Sequence, residues 1–286
     1  MKCRKVLAAL VSRMRDAGHR INHASCAVYR ASCFLAIIVT LTLLGLPGGV
    51  VMTYAQGPEF TTDFRFEDCK FRAKGENPYF ILQPGYQLLL EGEDEDEEVR
   101  LLITVLPQVE NVFVPGLGGV RTRVVEEREW IDEVLIEVSR NFFAICEPRN
   151  DVAYFGEKVF ICEDGLVPNG DGFLCNGKEP SHEGEWRAGQ PDGDGLAEPG
   201  IIMPGTFLLG SRYCQEIADD IALDRAENVK MGLTVNTDAG IFHDCVRVRE
   251  TTPLEPGQVS IKKYCPGVGL VEDGPAKLSD SGFNIE

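Results

Sequence analysis

The sequence predicts an all-β fold, an antiparallel and strongly curved sheet that forms a half-barrel or a sandwich. Apolar and polar residues alternate with a period of two along several segments, as in strands that bury one face. Gly, Pro, Asn and Asp clusters separate these segments and supply the backbone conformations of turns. Only residues 217–226 have a spacing that suits a short helix. We therefore expect roughly ten strands and one long Gly/Asp-rich loop.

The clearest predicted element is a hairpin of two long strands, residues 121–129 and 134–146, around the sequence Trp130-Ile131-Asp132-Glu133. Further strands are predicted at residues 99–106, 152–155, 227–235, 245–252 and 258–264, each with alternating character. These segments are spread over residues 77–271, which we expect to form a single β domain. Residues 56–76 are expected to be an N-terminal linker or an edge strand.

Three segments depart from the alternating pattern. Residues 91–98 have the sequence EGEDEDEE and are expected to form a solvated loop between two strands. Residues 163–200 contain nine Gly and four Pro, which predicts a long irregular excursion that is either functional or partly disordered. Residues 272–286 are expected to be a mobile tail.

The N-terminal segment has the pattern of a secretory signal peptide. Seven basic residues and one acid accompany the apolar run 33–52, which is interrupted by Pro47-Gly48-Gly49 and followed by Thr53-Tyr54-Ala55. Small residues at the last and third-last positions fit cleavage after Ala55. The alternative is a retained anchor, because about 20 apolar residues can span a bilayer. Cleavage predicts a protein of the periplasm, the cell surface or the extracellular space, with no membrane span.

The charge balance restricts the partners. Residues 56–286 contain 21 Lys and Arg against 44 Asp and Glu, a net charge of -23. Such a surface repels phosphate backbones and anionic lipid headgroups. We therefore expect no nucleic-acid partner, and the expected partner is an envelope ligand or protein whose identity the composition leaves open.

The cysteine content agrees with export. Seven cysteines follow residue 55, and an exported chain meets oxidising conditions in which most of them should pair. Two or three disulfides are predicted among six of these residues, with Cys162–Cys175 the first choice because both border one loop. The six candidates are Cys69, Cys146, Cys162, Cys175, Cys214 and Cys265.

From residue 77 to residue 271 the chain resembles a family of exported, β-rich bacterial hypothetical proteins without an assigned activity. The stretches that carry the resemblance include NPYF (77–80), PGIIMP (199–204), ETTPLEPG (250–257) and YCPGVGLV (264–271). The resemblance implies a β-rich envelope protein and adds no mechanism. In that family a cysteine is usual at the position of Cys245, whereas the other six belong to this chain. This difference implies three extra disulfides with Cys245 left reduced.

No catalytic constellation is visible in the sequence. After residue 55 the only histidines are His182 and His243, and no GxSxG motif provides a serine nucleophile. No cofactor fingerprint is present either. The sequence therefore favours a non-enzymatic protein.

The Gly-rich segment supplies the candidate sites. His182, Glu183, Glu185 and Trp186 form a candidate ligand-binding group, because an amphipathic indole flanked by carboxylates suits a sugar or a cationic group. Two turns place oxygen ligands two residues apart, as Ca²⁺ prefers. The candidate calcium ligands are Asn169, Asp171, Asp192 and Asp194.

These features lead to three hypotheses. The first is a β domain that binds a ligand or a protein on the concave face of its sheet, with residues 163–200 as a lid. The second is a glycan-acting hydrolase that uses acidic residues, whose separation in space the sequence does not give. The third is a Ca²⁺-stabilised structural surface protein.

Overall fold

The computed structural model describes residues 59–193 and 195–285, and the predicted signal peptide lies outside this range. Within it, the chain is antiparallel β-structure with a one-turn 3-10 helix at Phe66–Asp68, as the alternating pattern predicts. None of the helical segments described there has the length and apolarity needed to cross a bilayer. The strands are β1 (Lys70–Arg72), β2 (Gly75–Asn77), β3 (Phe80–Leu82), β4 (Tyr86–Asp94), β5 (Glu97–Val114), β6 (Gly118–Ile131), β7 (Val134–Glu147), β8 (Asp151–Ile161), β9 (Leu166–Asn169), β10 (Gly172–Cys175), β11 (Trp186–Arg187), β12 (Glu198–Met203), β13 (Arg212–Cys214), β14 (Glu216–Ile217), β15 (Arg225–Thr237), β16 (Gly240–Thr251), β17 (Ser260–Cys265), β18 (Gly269–Asp273) and β19 (Ala276–Phe283).

The large sheet is nearly closed into a barrel. Its strand order is β13-β15-β16-β17-β18-β19-β4-β5-β6-β7-β8-β12-β14. The first and last strands of this order, β13 and β14, are separated in sequence by Gln215 alone. The short segment 212–217 therefore pairs with β15 on one side and with β12 on the other, and it joins the two edges of the sheet.

Strand register decides which side chains point into the barrel. Because alternate residues of a strand face the same side, two rows of inward residues cross β5, β6, β7 and β8. The first row is Ile103, Glu127, Ser139 and Val159, and the second is Leu101, Glu129, Glu137 and Ile161. The rows continue onto β4 with Leu88 and Leu90.

A hydrophobic core packs on the sheet in addition to the cavity lining. Its fully buried side chains include Leu82, Leu90, Val112, Phe155 and Met203. A second, smaller cluster of Val138, Phe160, Cys162, Leu166 and Phe173 lies between β7, β8 and the β9–β10 hairpin. Since Val138 and Phe160 alternate with the inward residues, this hairpin covers the outer face of the sheet.

Three disulfides link pairs of cysteines within the described residues, and the cysteine content predicts such bonds. They are Cys69–Cys146, Cys162–Cys175 and Cys245–Cys265, and the first-choice pair is confirmed. The expectation that Cys245 stays reduced is wrong. Cys245 and Cys265 lie on neighbouring strands with 4.2 Å between their Cα atoms, because Val246 pairs with Tyr264 in the adjacent register. Cys214 is also disulfide-bonded.

Three segments differ from expectation. Residues 217–226 form no helix, because their backbone pairs with β12 and β16 and makes a tight turn at 218–222. The acidic run at 91–98 lies mostly within β4 and β5, with a turn only at 95–96. The expected mobile tail contains β19, which pairs with β4 and completes the sheet. In each case backbone pairing between strands outweighs the local composition.

Candidate functional site

The barrel encloses a cavity of about 1090 Å³. One sector of its wall is apolar and is built by β4 and β5, which are neighbours in the sheet, and by β18 with the segment before it. The side chains that line this sector include Tyr86, Leu88, Ile103, Val105, Val268 and Leu270. The Tyr86 hydroxyl donates a hydrogen bond to the Val268 carbonyl oxygen at 2.9 Å, so the phenol presents its ring to the cavity with its polar group satisfied.

The neighbouring sector is acidic. Strands β6, β7 and β8 contribute Glu127, Glu137 and Glu157 to the lining. Three more carboxyl groups come from Glu216 in the joining segment, Asp224 just before β15, and Glu250 in β16. The two sectors are adjacent around the barrel, so the cavity has an apolar side and an acidic side.

Burial changes the proton affinity of these acids. Burial together with the charge of Asp224 raises the pKa of Glu216 to about 8. Burial and the charge of Glu250 raise the pKa of Asp224 to about 6. The pKa of Glu157 is also raised, by burial and by Glu216. Near neutral pH the cavity therefore contains both protonated and ionised carboxyl groups.

A second pair of acidic residues lies on the neighbouring strands β6 and β7. Glu129 and Glu137 are direct cross-strand neighbours, an arrangement that is unfavourable when both are ionised. Burial and the neighbouring carboxylate raise the pKa of Glu129 to about 8. Burial and Glu127 raise the pKa of Glu137 to about 7. This side of the cavity is also partly protonated at neutral pH.

Among the described residues that line the cavity, Lys262 is the one base. Its Nζ lies 3.2 Å from Glu250 Oε2 and 3.5 Å from Asp273 Oδ2. Burial lowers the pKa of Lys262, but the charges of Asp273 and Glu250 outweigh burial and raise it. The ammonium group is thus engaged with two carboxylates, those of Glu250 and Asp273.

The joining segment aims two polar side chains at the cavity. The backbone N–H groups of Gln215 and Glu216 both donate to the Asp224 carbonyl oxygen, at 2.7 and 3.1 Å. This two-to-one pairing, of the kind found in β-bulges, lets consecutive residues line the same cavity. Gly200 packs against the Gln215 backbone so closely that any side chain at this position would collide with it. Gly200 therefore fixes the place of the segment.

The predicted ligand-binding group is divided by the structure. Trp186 is buried, and its indole N–H donates to Glu216 Oε1 at 3.3 Å, so it orients a lining acid from behind. Glu183 lines the cavity. His182 bonds to the Val159 carbonyl oxygen and, at 2.9 Å, to Glu179, and Glu185 lies 3.3 Å from the same imidazole. Binding by these four residues stays a prediction.

The predicted calcium ligands lie in two different turns. Asn169 and Asp171 flank the turn of the β9–β10 hairpin, on the outer face of the sheet. The Asp192 carboxylate accepts hydrogen bonds from the backbone N–H groups of Gly195, at 2.8 Å, and Asp219, at 3.2 Å. Asp194 lies outside the described residues. Within the described ranges, no group of three or more His, Cys, Asp and Glu is arranged to hold a metal ion. The calcium site stays a prediction.

Sequence reasoning did not identify the cavity acids as a group. They come from β6, β7, β8, β16 and the joining segment, which are far apart in the chain. The available signal was the position of Glu127, Glu129 and Glu137 on the apolar face of strands, where carboxylates are uncommon. A comparison of the chain with protein-family models, with curated proteins and with solved structures finds no match.

Proposed function

We propose that this chain is an exported protein that binds a small amphipathic molecule inside its barrel. The observation that carries the proposal is the cavity of about 1090 Å³, with an apolar sector beside convergent polar groups. Ligand sites in proteins are concave, mostly apolar and equipped with a few polar groups that orient the ligand. The three disulfides support export, because such bonds persist in oxidising compartments.

The test is a cavity-filling substitution. The neutral fluorescent probe N-phenyl-1-naphthylamine should bind the wild-type protein with increased emission, since its rings match the apolar sector. Ile103→Trp fills part of the cavity and should abolish this increase. Val167→Trp is the matched control, because Val167 is 61% exposed on the outer hairpin. Val105→Phe fills less space and should weaken binding while circular dichroism shows an intact fold. Probe binding that survives both cavity substitutions would overturn the proposal.

A second candidate function, glycan hydrolysis, is supported by one observation. Glu216 and Asp224 lie in one cavity with pKa values of about 8 and about 6, so that one is protonated and the other ionised near neutral pH. A pair of carboxyl groups whose pKa values are pushed apart is the arrangement that supplies a general acid and a base or nucleophile. Release of reducing sugar from envelope glycans by the wild type, and its loss in both Glu216→Gln and Asp224→Asn, would favour hydrolysis.

A further inference from the structure

We propose that the cavity selects an organic cation, an alkylammonium whose N–H donors bind Gln215 and Glu216 while its chain lies along the apolar sector. The inference rests on the proposed function, because it names the class of ligand that the cavity takes. Two features besides the size of the cavity support it. They are one side-chain acceptor that has no partner among the described residues, and the distribution of charge around it.

The first argument is the Gln215 side chain. Gln215 is 2% exposed and lines the cavity, and its Nε2 donates to Glu250 Oε1 at 2.8 Å. This bond fixes the orientation of the amide, since a reversed amide would place its oxygen against the Glu250 carboxylate. Among the described residues, no group donates a hydrogen bond to the buried Oε1 atom. Because a buried polar atom is costly to leave unpaired, this acceptor calls for a ligand that donates a hydrogen bond.

The second argument is the charge around this acceptor. Glu216 is the next residue in the chain, and Asp224 and Glu250 line the same cavity. Lys262, the one basic residue among the described lining residues, already contacts Glu250 and Asp273. A ligand carboxylate would meet acids with no available base, and burying a like charge beside them is strongly unfavourable. A positive ligand supplies the counter-charge.

The third argument separates an organic cation from a metal ion. Within the described part of the chain, no group of three or more acidic, histidine or cysteine side chains is arranged to hold a metal. The apolar sector on β4, β5 and β18 also offers nothing to a hydrated ion, whereas it suits an alkyl chain. An ammonium provides up to three donors for the Gln215 and Glu216 oxygens.

The experiment is competition against N-phenyl-1-naphthylamine by three ligands of equal chain length, below their micelle-forming concentrations. Decylammonium should displace the probe at a concentration at least ~10-fold lower than decanoate, because each ~1.4 kcal/mol of charge interaction is a factor of ten in affinity. Decanol should lie between them. Equal displacement by all three ligands would overturn the inference and leave the proposed function standing. Failure of the probe and of every ligand to bind would overturn both.

Two variants locate the ammonium. Gln215→Met removes the acceptor at similar size, and Glu216→Gln removes the group that becomes a carboxylate when the ammonium binds, so each should weaken decylammonium by roughly 10-fold while decanol binding changes little. The control is Glu93→Gln, an exposed acid outside the cavity. Decylammonium affinity that is unchanged in both cavity variants would contradict the assignment. A uniform loss for all three ligands would also contradict it, because it would show that the substitutions act on the cavity as a whole.

Discussion

The acids at the β4–β5 turn and the acids of the cavity have the same side chains in opposite surroundings. Glu93 and Glu98 pair across β4 and β5, both are exposed, and water solvates their charges. Glu129 and Glu137 pair in the same way across β6 and β7, but they face the barrel interior, where burial and neighbouring carboxylates raise the pKa of both. The comparison shows that the strand face, rather than the local acidity of the sequence, decides how a carboxyl group behaves here.

The largest expected effect is on stability as a function of pH. Glu129, Glu137, Glu216 and Asp224 have raised pKa values in the folded protein, of about 8, 7, 8 and 6. Between about pH 4.5 and pH 8 these four acids bind more protons in the folded state than in the unfolded state. Their contribution to the free energy of unfolding is therefore present at low pH and is lost as pH rises. Lys262 stays protonated in this range and adds no opposing trend.

Each ~1 kcal/mol of stability lost through this proton linkage lowers the Tm of a domain of this size by ~2–4 °C. We expect the Tm to be roughly 10 °C lower at about pH 8.5 than at about pH 5.5. Differential scanning calorimetry at constant ionic strength measures it. A Tm that is constant or rises over this interval would show that the interior acids behave like those of the β4–β5 turn.

The next largest effect is expected from Lys262→Met. The substitution leaves the carboxylates of Glu250 and Asp273 in the barrel without their cation. Breaking a buried ion pair from one side costs ~3–5 kcal/mol, and we expect a loss of stability in this range. Urea unfolding at neutral pH measures the loss. The control is Lys277→Met, an exposed lysine on β19, which should stay within about 0.5 kcal/mol of the wild type.

The smallest expected effect compares one acid of the barrel interior with one acid of the β4–β5 turn. Glu129→Gln removes an acid that resists ionisation and should stabilise the protein by on the order of 2 kcal/mol at about pH 8.5, with little change at about pH 5.5. This stabilisation is smaller than the free energy that corresponds to the full pKa shift of Glu129, because part of the Glu129 surface remains accessible to solvent. Glu93→Gln should change stability at neither pH. Equal responses of the two variants in urea unfolding would remove the distinction between the two sets of acids.

Much of the fold follows from the sequence, because alternation along a strand is local. The hairpin of β6 and β7 and the Cys162–Cys175 bond are examples of such local order. The closure of the barrel is different, since it depends on the pairing of residues 212–217 with β12 and β15, for which the sequence contains no local signal. The Cys245–Cys265 bond was missed for a related reason, because it requires the register of β16 against β17.

The candidate site follows from the sequence only in part. Trp186 and Glu183 were singled out for their residue types, and the structure places one behind Glu216 and the other in the cavity lining. Gln215 and Glu216 carry no local signal, because their role comes from the backbone geometry at Asp224 and from the close packing of Gly200. The strands that form the cavity come from both halves of the chain. The cavity can therefore be identified only from the three-dimensional structure.

The most direct test is an NMR titration of the glutamate side-chain carboxyl carbons, with and without decylammonium. In the free protein we expect Glu216 to titrate at about 8, because burial and Asp224 oppose its ionisation. Bound decylammonium should lower this value, since a nearby positive charge favours the ionised form. A Glu216 midpoint near the ordinary value of ~4.3 in the free protein, or a midpoint that decylammonium leaves unchanged, would contradict the account of the cavity.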